Sequence, residues 1–263
     1  MPPVTTMTTT DPTTSSMSST SLIKTLRLTR PLSVSLSLTP PRNCKLTTSG
    51  EIANIDTNLP GDPAVDFNAS RLTFPSWIGA VAEAVYYIGL ERNSAAMIGV
   101  SYAPLLENLN SIQWTPDLIS FTADPAQTIL STSYYILQLF SGTRLAETLP
   151  ITSGATYGPA YFVAGTTTDG GRAVKAAVYN TTTPVQMDVT LEGVSQGTSA
   201  TLTVLTAPSG DAQNVAAGTN VVDTNTTTLT AGEGGLFSYQ LPELSVSVLK
   251  VAGSKKYGRR VSR

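Results

Sequence analysis

Trp77-Ile-Gly-Ala-Val-Ala-Glu-Ala-Val-Tyr-Tyr-Ile-Gly-Leu-Glu-Arg92, followed almost at once by Ala95-Ala-Met-Ile-Gly-Val-Ser101, is the stretch on which the fold turns. Its first part is Ala-rich and repeats apolar residues at helical spacing, with Ile78, Val81, Ala82, Val85 and Ile88 on one face. Ser76 stands where a helix N-cap belongs. The second part is a continuous apolar run of strand length, as expected of a parallel strand buried on both faces. A strand directly after a helix implies α/β architecture in this part of the chain.

Downstream, a Pro- and Asn-rich loop is expected from Tyr102 to Pro116, then a short strand over Leu118–Phe121. A second helix is expected over Pro125–Phe140, with Ile129, Tyr135, Ile136 and Leu139 as its apolar residues. Beyond Leu149 the pattern changes to short alternating strands between Gly, Pro, Asn and Asp turns. Tyr161–Ala164, Val174–Tyr179, Met187–Leu191, Ala200–Leu205 and Ser245–Val251 are such strands, and their regular spacing without intervening helices predicts an antiparallel β-sandwich. Upstream, residues 1–49 are dominated by Thr, Ser and Pro and cannot bury enough apolar surface to fold alone, so a disordered leader is expected, with a short strand possible at Leu32–Leu38. Residues 254–263 read as a basic, disordered tail. The chain thus divides into a leader (1–49), an α/β segment (50–148), a sandwich (149–253) and a tail.

Composition narrows the chemistry. The 263 residues carry a net charge of −2, and the basic residues form no stripe with interleaved aromatics, which argues against a nucleic-acid partner. Cys44 is the one cysteine and histidine is absent, so an intrachain disulfide, a His or Cys metal site and an imidazole-based triad are excluded, and chemistry must run on carboxylates. No apolar run reaches the ~18 residues that span a bilayer, so no membrane association is expected. No secretory signal is readable at the N-terminus. Three acceptor sequons, Asn68-Ala-Ser, Asn180-Thr-Thr and Asn225-Thr-Thr, nevertheless fit a secreted glycoprotein.

The ordered series Phe74-Pro-Ser-Trp-Ile-Gly-Ala-Val-Ala-Glu-Ala-Val-Tyr-Tyr-Ile-Gly-Leu-Glu-Arg-Asn93, Ser101-Tyr-Ala-Pro-Leu-Leu-Glu-Asn108 and Gln113-Trp-Thr-Pro-Asp-Leu-Ile119 resembles the fungal-type α-L-arabinofuranosidases of glycoside hydrolase family 51. Thr132-Ser-Tyr-Tyr135, Leu139-Phe-Ser141, Gly158-Pro-Ala-Tyr161 and Lys175-Ala-Ala-Val-Tyr-Asn180 extend the resemblance, which covers roughly Gly50 to Gly253. It implies the last turns of a (β/α)8 barrel, much of which is missing, followed by a jelly-roll-like sandwich. It also implies an extracellular enzyme that removes terminal arabinofuranosyl groups from arabinan and arabinoxylan without a cofactor.

Retaining hydrolysis needs two carboxyls about 5–5.5 Å apart, a nucleophile and an acid/base. The family nucleophile lies in a Gly-Glu-aromatic-Ala motif, which Gly50-Glu51-Ile52-Ala53 matches except that Ile52 replaces the aromatic. By this resemblance Glu51 is the nucleophile; the alternative is a solvated glutamate at the edge of the leader. The family acid/base lies in an Asn-Glu pair, and no such dipeptide occurs in the chain. Glu83 and Glu91 fall on the first helix, with helix-surface or interstrand contacts expected, and Glu107 falls in the loop without a catalytic role. Gln113 is expected to reach a sugar hydroxyl, since an amide both donates and accepts. Trp114 either stacks on a sugar face or packs beneath the loop. The same sequence supports a second outcome, a catalytically incomplete fragment that serves as a structural or carbohydrate-associated module.

Overall fold

In strands β9 (Ala160–Thr167), β10 (Arg172–Val178) and β15 (Ser245–Val251) side chains on both faces are buried, and this fixes the architecture. A strand of an open sandwich alternates buried with exposed residues; one buried on both faces must be covered on both. The computed structural model describes residues 24–28, 51–52, 72–95, 97, 99–112, 115–154 and 157–253, the first two stretches as backbone pairings. In chain order the elements are β1 (Lys24–Leu28), β2 (Glu51–Ile52), α1 (Trp77–Arg92), β3 (Ser101–Tyr102), β4 (Leu106–Asn108), β5 (Ile119–Phe121), β6 (Ile129–Leu130) and α2 (Thr132–Gly142). There follow β7 (Leu145–Thr148), β8 (Ile151–Ser153), β9, β10, β11 (Val185–Leu191), β12 (Ser199–Thr206), β13 (Asp223–Thr230), β14 (Leu236–Leu241) and β15. The described chain is therefore mostly β-sheet with two α-helices.

A six-stranded antiparallel sheet, ordered β13-β12-β15-β10-β9-β7, is the central layer. On one side it faces a four-stranded sheet, β14-β11-β1-β8. Phe162, Val174, Val178, Met187, Phe237 and Leu249 fill the space between the two sheets. On the other side Val163, Ala173, Ala177, Val246 and Val248 meet Trp77, Val81, Ala84 and Ile88 of α1 and Ile136 and Phe140 of α2. Two cores thus share one sheet, and successive residues of β10 point alternately into each. β7, which precedes the expected boundary at 148/149, pairs with β9 in this central sheet.

The α1 helix occupies the predicted span, and Ser76 caps it by accepting the Gly79 N–H. Its buried stripe is corrected: Trp77, Ala80, Val81, Ala84, Tyr87 and Ile88 are buried, whereas Ile78, Ala82 and Val85 are only partly covered. The indole decides this. Trp77 is fully buried and its Nε1–H donates to the Leu244 carbonyl at 2.6 Å, so the helix rolls about a quarter turn to seat its largest apolar side chain on the sheet. The expected second helix is broken: Pro125–Gln127 form one 3-10 turn capped by Asp124, Ile129–Leu130 pair with β5, and only then does α2 begin, capped by Ser131. Competition from strand pairing at Ile129 overrides the helical spacing.

Of the buried parallel strand expected over Ala95–Ser101, the described residues form strand at Ser101, which continues to Tyr102, while Gly99 and Val100 are exposed; β2 is its one partner among the described residues. The five sandwich strands expected from sequence correspond to β9, β10, β11, β12 and β15. Within the leader, Lys24–Leu28 forms β1, parallel to β11 and antiparallel to β8, an alternating Lys-Thr-Leu-Arg-Leu run that suits a pleated sheet. The possible strand at Leu32–Leu38 and the basic tail lie outside the described residues.

Candidate active-site region

The region begins at the β2–β3 pair. Glu51 stands in parallel register with Ser101, and Ile52 with Tyr102. A second parallel pair follows, β4 with β5, in which Glu107 lies opposite Ser120. Gln113 and Trp114, on the connection between β4 and β5, lie outside the described residues, as does Asn68. The loop expected from Tyr102 to Pro116 thus contains strand β4, and Glu107, expected in the loop, is a buried residue of that strand.

Behind β3 sits a polar cluster that the sequence did not lead us to expect. Glu83 of α1 is 5% exposed, and the Tyr102 hydroxyl donates to its Oε1 at 3.2 Å. Burial pushes the Glu83 carboxyl up to about 8, against the smaller opposing pull of the Ser133 and Tyr102 hydroxyls. At neutral pH it is mostly the protonated acid. Glu83 Oε2, the Tyr87 hydroxyl and Ser133 Oγ are buried without a well-formed hydrogen bond among the described residues, so Ser133 acts on the carboxyl from close by. Burial also raises the Tyr87 hydroxyl, and the neighbouring Glu83 adds to the shift. Of the two contacts expected for Glu83, at the helix surface or with a strand, the structure shows the second: the carboxyl is buried and meets Tyr102 of β3. The signal was present: taking the helical stripe from Trp77 rather than from Ile78 turns Glu83 inward beside Tyr87.

A second buried carboxyl, Asp117, accepts the Ser120 hydroxyl at 2.7 Å, and burial is the main cause of its raised proton affinity, with Glu107 contributing. Glu91, in contrast, makes an interlayer contact of the expected kind. It pairs with Lys175 of β10, whose side chain is buried and also donates to the Phe140 carbonyl at 3.0 Å. The N-terminus of α1 is fixed by the sandwich itself, through Trp77 N–H to Ala212 O at 2.9 Å and Ile78 N–H to Gly210 O at 2.8 Å.

Both helices are thus bonded directly to the sandwich. The model of the protein family described as "Alpha-L-arabinofuranosidase C-terminal domain" matches residues 68–245. The chain belongs to this family. The matched span runs from before α1 to the start of β15, so this arabinofuranosidase C-terminal domain includes both helices as well as most strands of the sandwich. Among curated relatives, the probable α-L-arabinofuranosidase A of Aspergillus terreus is 40% identical over 200 residues, covering 76% of this chain and 31% of the relative. The α-L-arabinofuranosidase A of Aspergillus niger is 39% identical over 184 residues, covering 70% of this chain and 28% of the relative. An arabinose-bound MgGH51 α-L-arabinofuranosidase superposes with a TM-score of 0.63 at 33% identity, over 72% of this chain and 29% of that one. The GH51 α-L-arabinofuranosidase of Thermotoga petrophila shares the fold, with a TM-score of 0.57 at 18% identity over 68% of this chain and 39% of that one. The chain therefore spans less than a third of the length of these Aspergillus relatives.

The remaining sequon residues are both on the described surface. Asn180 is exposed with a positive φ of 59° just after β10, and Asn225 is exposed within β13. No helix among the described residues is long and apolar enough to cross a membrane.

Proposed function

We propose that this chain is the C-terminal portion of a retaining, extracellular α-L-arabinofuranosidase that removes terminal non-reducing arabinofuranosyl residues from arabinan and arabinoxylan. The observation that carries this reading is the parallel pairing of Glu51–Ile52 with Ser101–Tyr102 in a chain of the arabinofuranosidase family. In this reading residues 50–148 retain the last turns of a (β/α) barrel, and β2, β3 and the Trp77 helix derive from it. Glu51 attacks the anomeric carbon, Gln113 holds a sugar hydroxyl, and Trp114 offers its ring face to the sugar. The acid that protonates the leaving oxygen is missing from the Asn-Glu position of the family.

A second reading, a non-catalytic module, is favoured by a different observation. Two parallel pairs cannot close an eight-stranded barrel, and Val100, Leu105, Leu106 and Ile112 are left exposed around them. Acid/base assistance alone contributes about 10²–10⁴-fold to such reactions, so this chain by itself is expected to be nearly inactive. The deciding experiment is release of p-nitrophenol from p-nitrophenyl α-L-arabinofuranoside by the purified chain and by Glu51→Gln. Turnover that disappears in the variant supports Glu51 as nucleophile. Equal background rates from both leave the module reading standing.

A further inference from the structure

Strand β13 forms one edge of the central sheet: it pairs with β12 and, among the described residues, with nothing on its outer side. It runs eight residues, Asp-Thr-Asn-Thr-Thr-Thr-Leu-Thr, in unbroken register, and every residue except Leu229 is exposed. Apart from Asp223 at its start it has no charge, no proline and no bulge. A long, flat strand of β-favouring threonines with a free row of backbone donors and acceptors is a template for another strand. The opposite edge is built differently. β7 has four residues, includes Glu147 and slips register between Leu145 and Glu147, all of which blunt an edge.

The acceptor sequon Asn225-Thr226-Thr227 lies inside β13. Asn225, Thr227 and Leu229 stand opposite Val204, Leu202 and Ala200, which belong to the sandwich core or pack against it, so these three share the sandwich face. Leu229 packs against the core, while Asn225 is exposed near the start of the strand. We propose that Asn225 carries an N-linked glycan whose role is to guard this open edge against strand addition by a second copy of the chain. The proposal rests on the extracellular reading above, since only a chain that enters the secretory route meets the glycosylating machinery.

The test uses the full chain secreted from yeast as four versions: native, Asn225→Gln, Asn180→Gln and Asn225→Lys. Site occupancy is read by mass spectrometry and self-association by light scattering across a concentration series. Any association driven by the apolar face near Val100 is common to all four, so the differences report on the edge. The native chain is expected to be glycosylated at Asn225, and Asn225→Gln is expected to associate at a concentration roughly tenfold lower or less, a difference of about 1.4 kcal/mol. Asn180→Gln should match the native chain. Asn225→Lys should match it as well, because a charge on the edge replaces the missing glycan. Association of Asn225→Gln indistinguishable from native overturns the proposal. An unmodified Asn225 in the secreted native chain, whether or not Asn68 or Asn180 is glycosylated, overturns it while leaving the extracellular reading intact.

Discussion

Tyr102 of β3 donates its phenolic hydrogen to Glu83 of α1 at 3.2 Å, deep beneath the strand that pairs with Glu51–Ile52. The bond joins helix to strand at the level of the candidate nucleophile. Its strength depends on which form of the Glu83 carboxyl is present.

Stability should fall as pH rises from about 4.5 to about 8, because in that interval the unfolded chain releases the Glu83 proton while the folded chain keeps it. The slope from this group approaches about 1.4 kcal/mol per pH unit at most. Glu83→Gln, which mimics the neutral acid, should flatten the slope and leave the variant more stable than the native chain at pH 8. Urea denaturation at pH 5, 6, 7 and 8 checks this; parallel curves for the two chains refute it.

Lys175 is fully buried. Burial lowers its proton affinity, and Glu91 is the charge that opposes this. Glu91→Ala strands a buried ammonium and should destabilise by about 3 kcal/mol, whereas Lys175→Met combined with Glu91→Gln should cost far less, since removal of a whole buried pair is often close to neutral. A double-mutant cycle in urea distinguishes the two.

Trp77 combines complete burial with a 2.6 Å hydrogen bond to Leu244 O. Trp77→Ala should cost about 3–5 kcal/mol through the cavity it leaves. Trp77→Phe should cost less, about 1–3 kcal/mol, chiefly because the Leu244 carbonyl loses its donor. Thermal unfolding of both variants should preserve that order.

Gly165 of β9 lies under β7, and a Cβ there would strike the Glu147 carbonyl oxygen and the Leu145 side chain. Gly165→Ala should peel β7 from the sheet edge and destabilise by roughly 1–3 kcal/mol. Faster amide exchange confined to Leu145–Thr148 would be its signature, and unchanged protection there would contradict the account.

The helix around Trp77 and five sandwich strands were legible because each carries a local pattern: caps, spacing, alternation and turn residues. β13 was not, since its Thr-rich exposed sequence has no apolar period and its pairing comes from β12. The Pro125–Phe140 stretch misled because Ile129 suits a helical stripe and a strand equally well. Of the candidate site, Glu51 could be matched to a motif. The burial of Lys175 could not, because what buries it is the contact between the helices and the far face of the sheet, which alternation within the strands does not reveal.

The sheet shared between two cores also shapes how such a chain can drift over generations. In β10, Val174, Ala176 and Val178 answer to one interior and Ala173, Lys175 and Ala177 to the other, so a single substitution disturbs one interior and leaves its neighbour untouched. A one-residue insertion in the same strand exchanges the two sets at a stroke and spoils both. Among descendants of this sequence, the inner strands should accept occasional side-chain changes of similar volume but changes of length almost never, with insertions and deletions collecting in the connections outside the sheet.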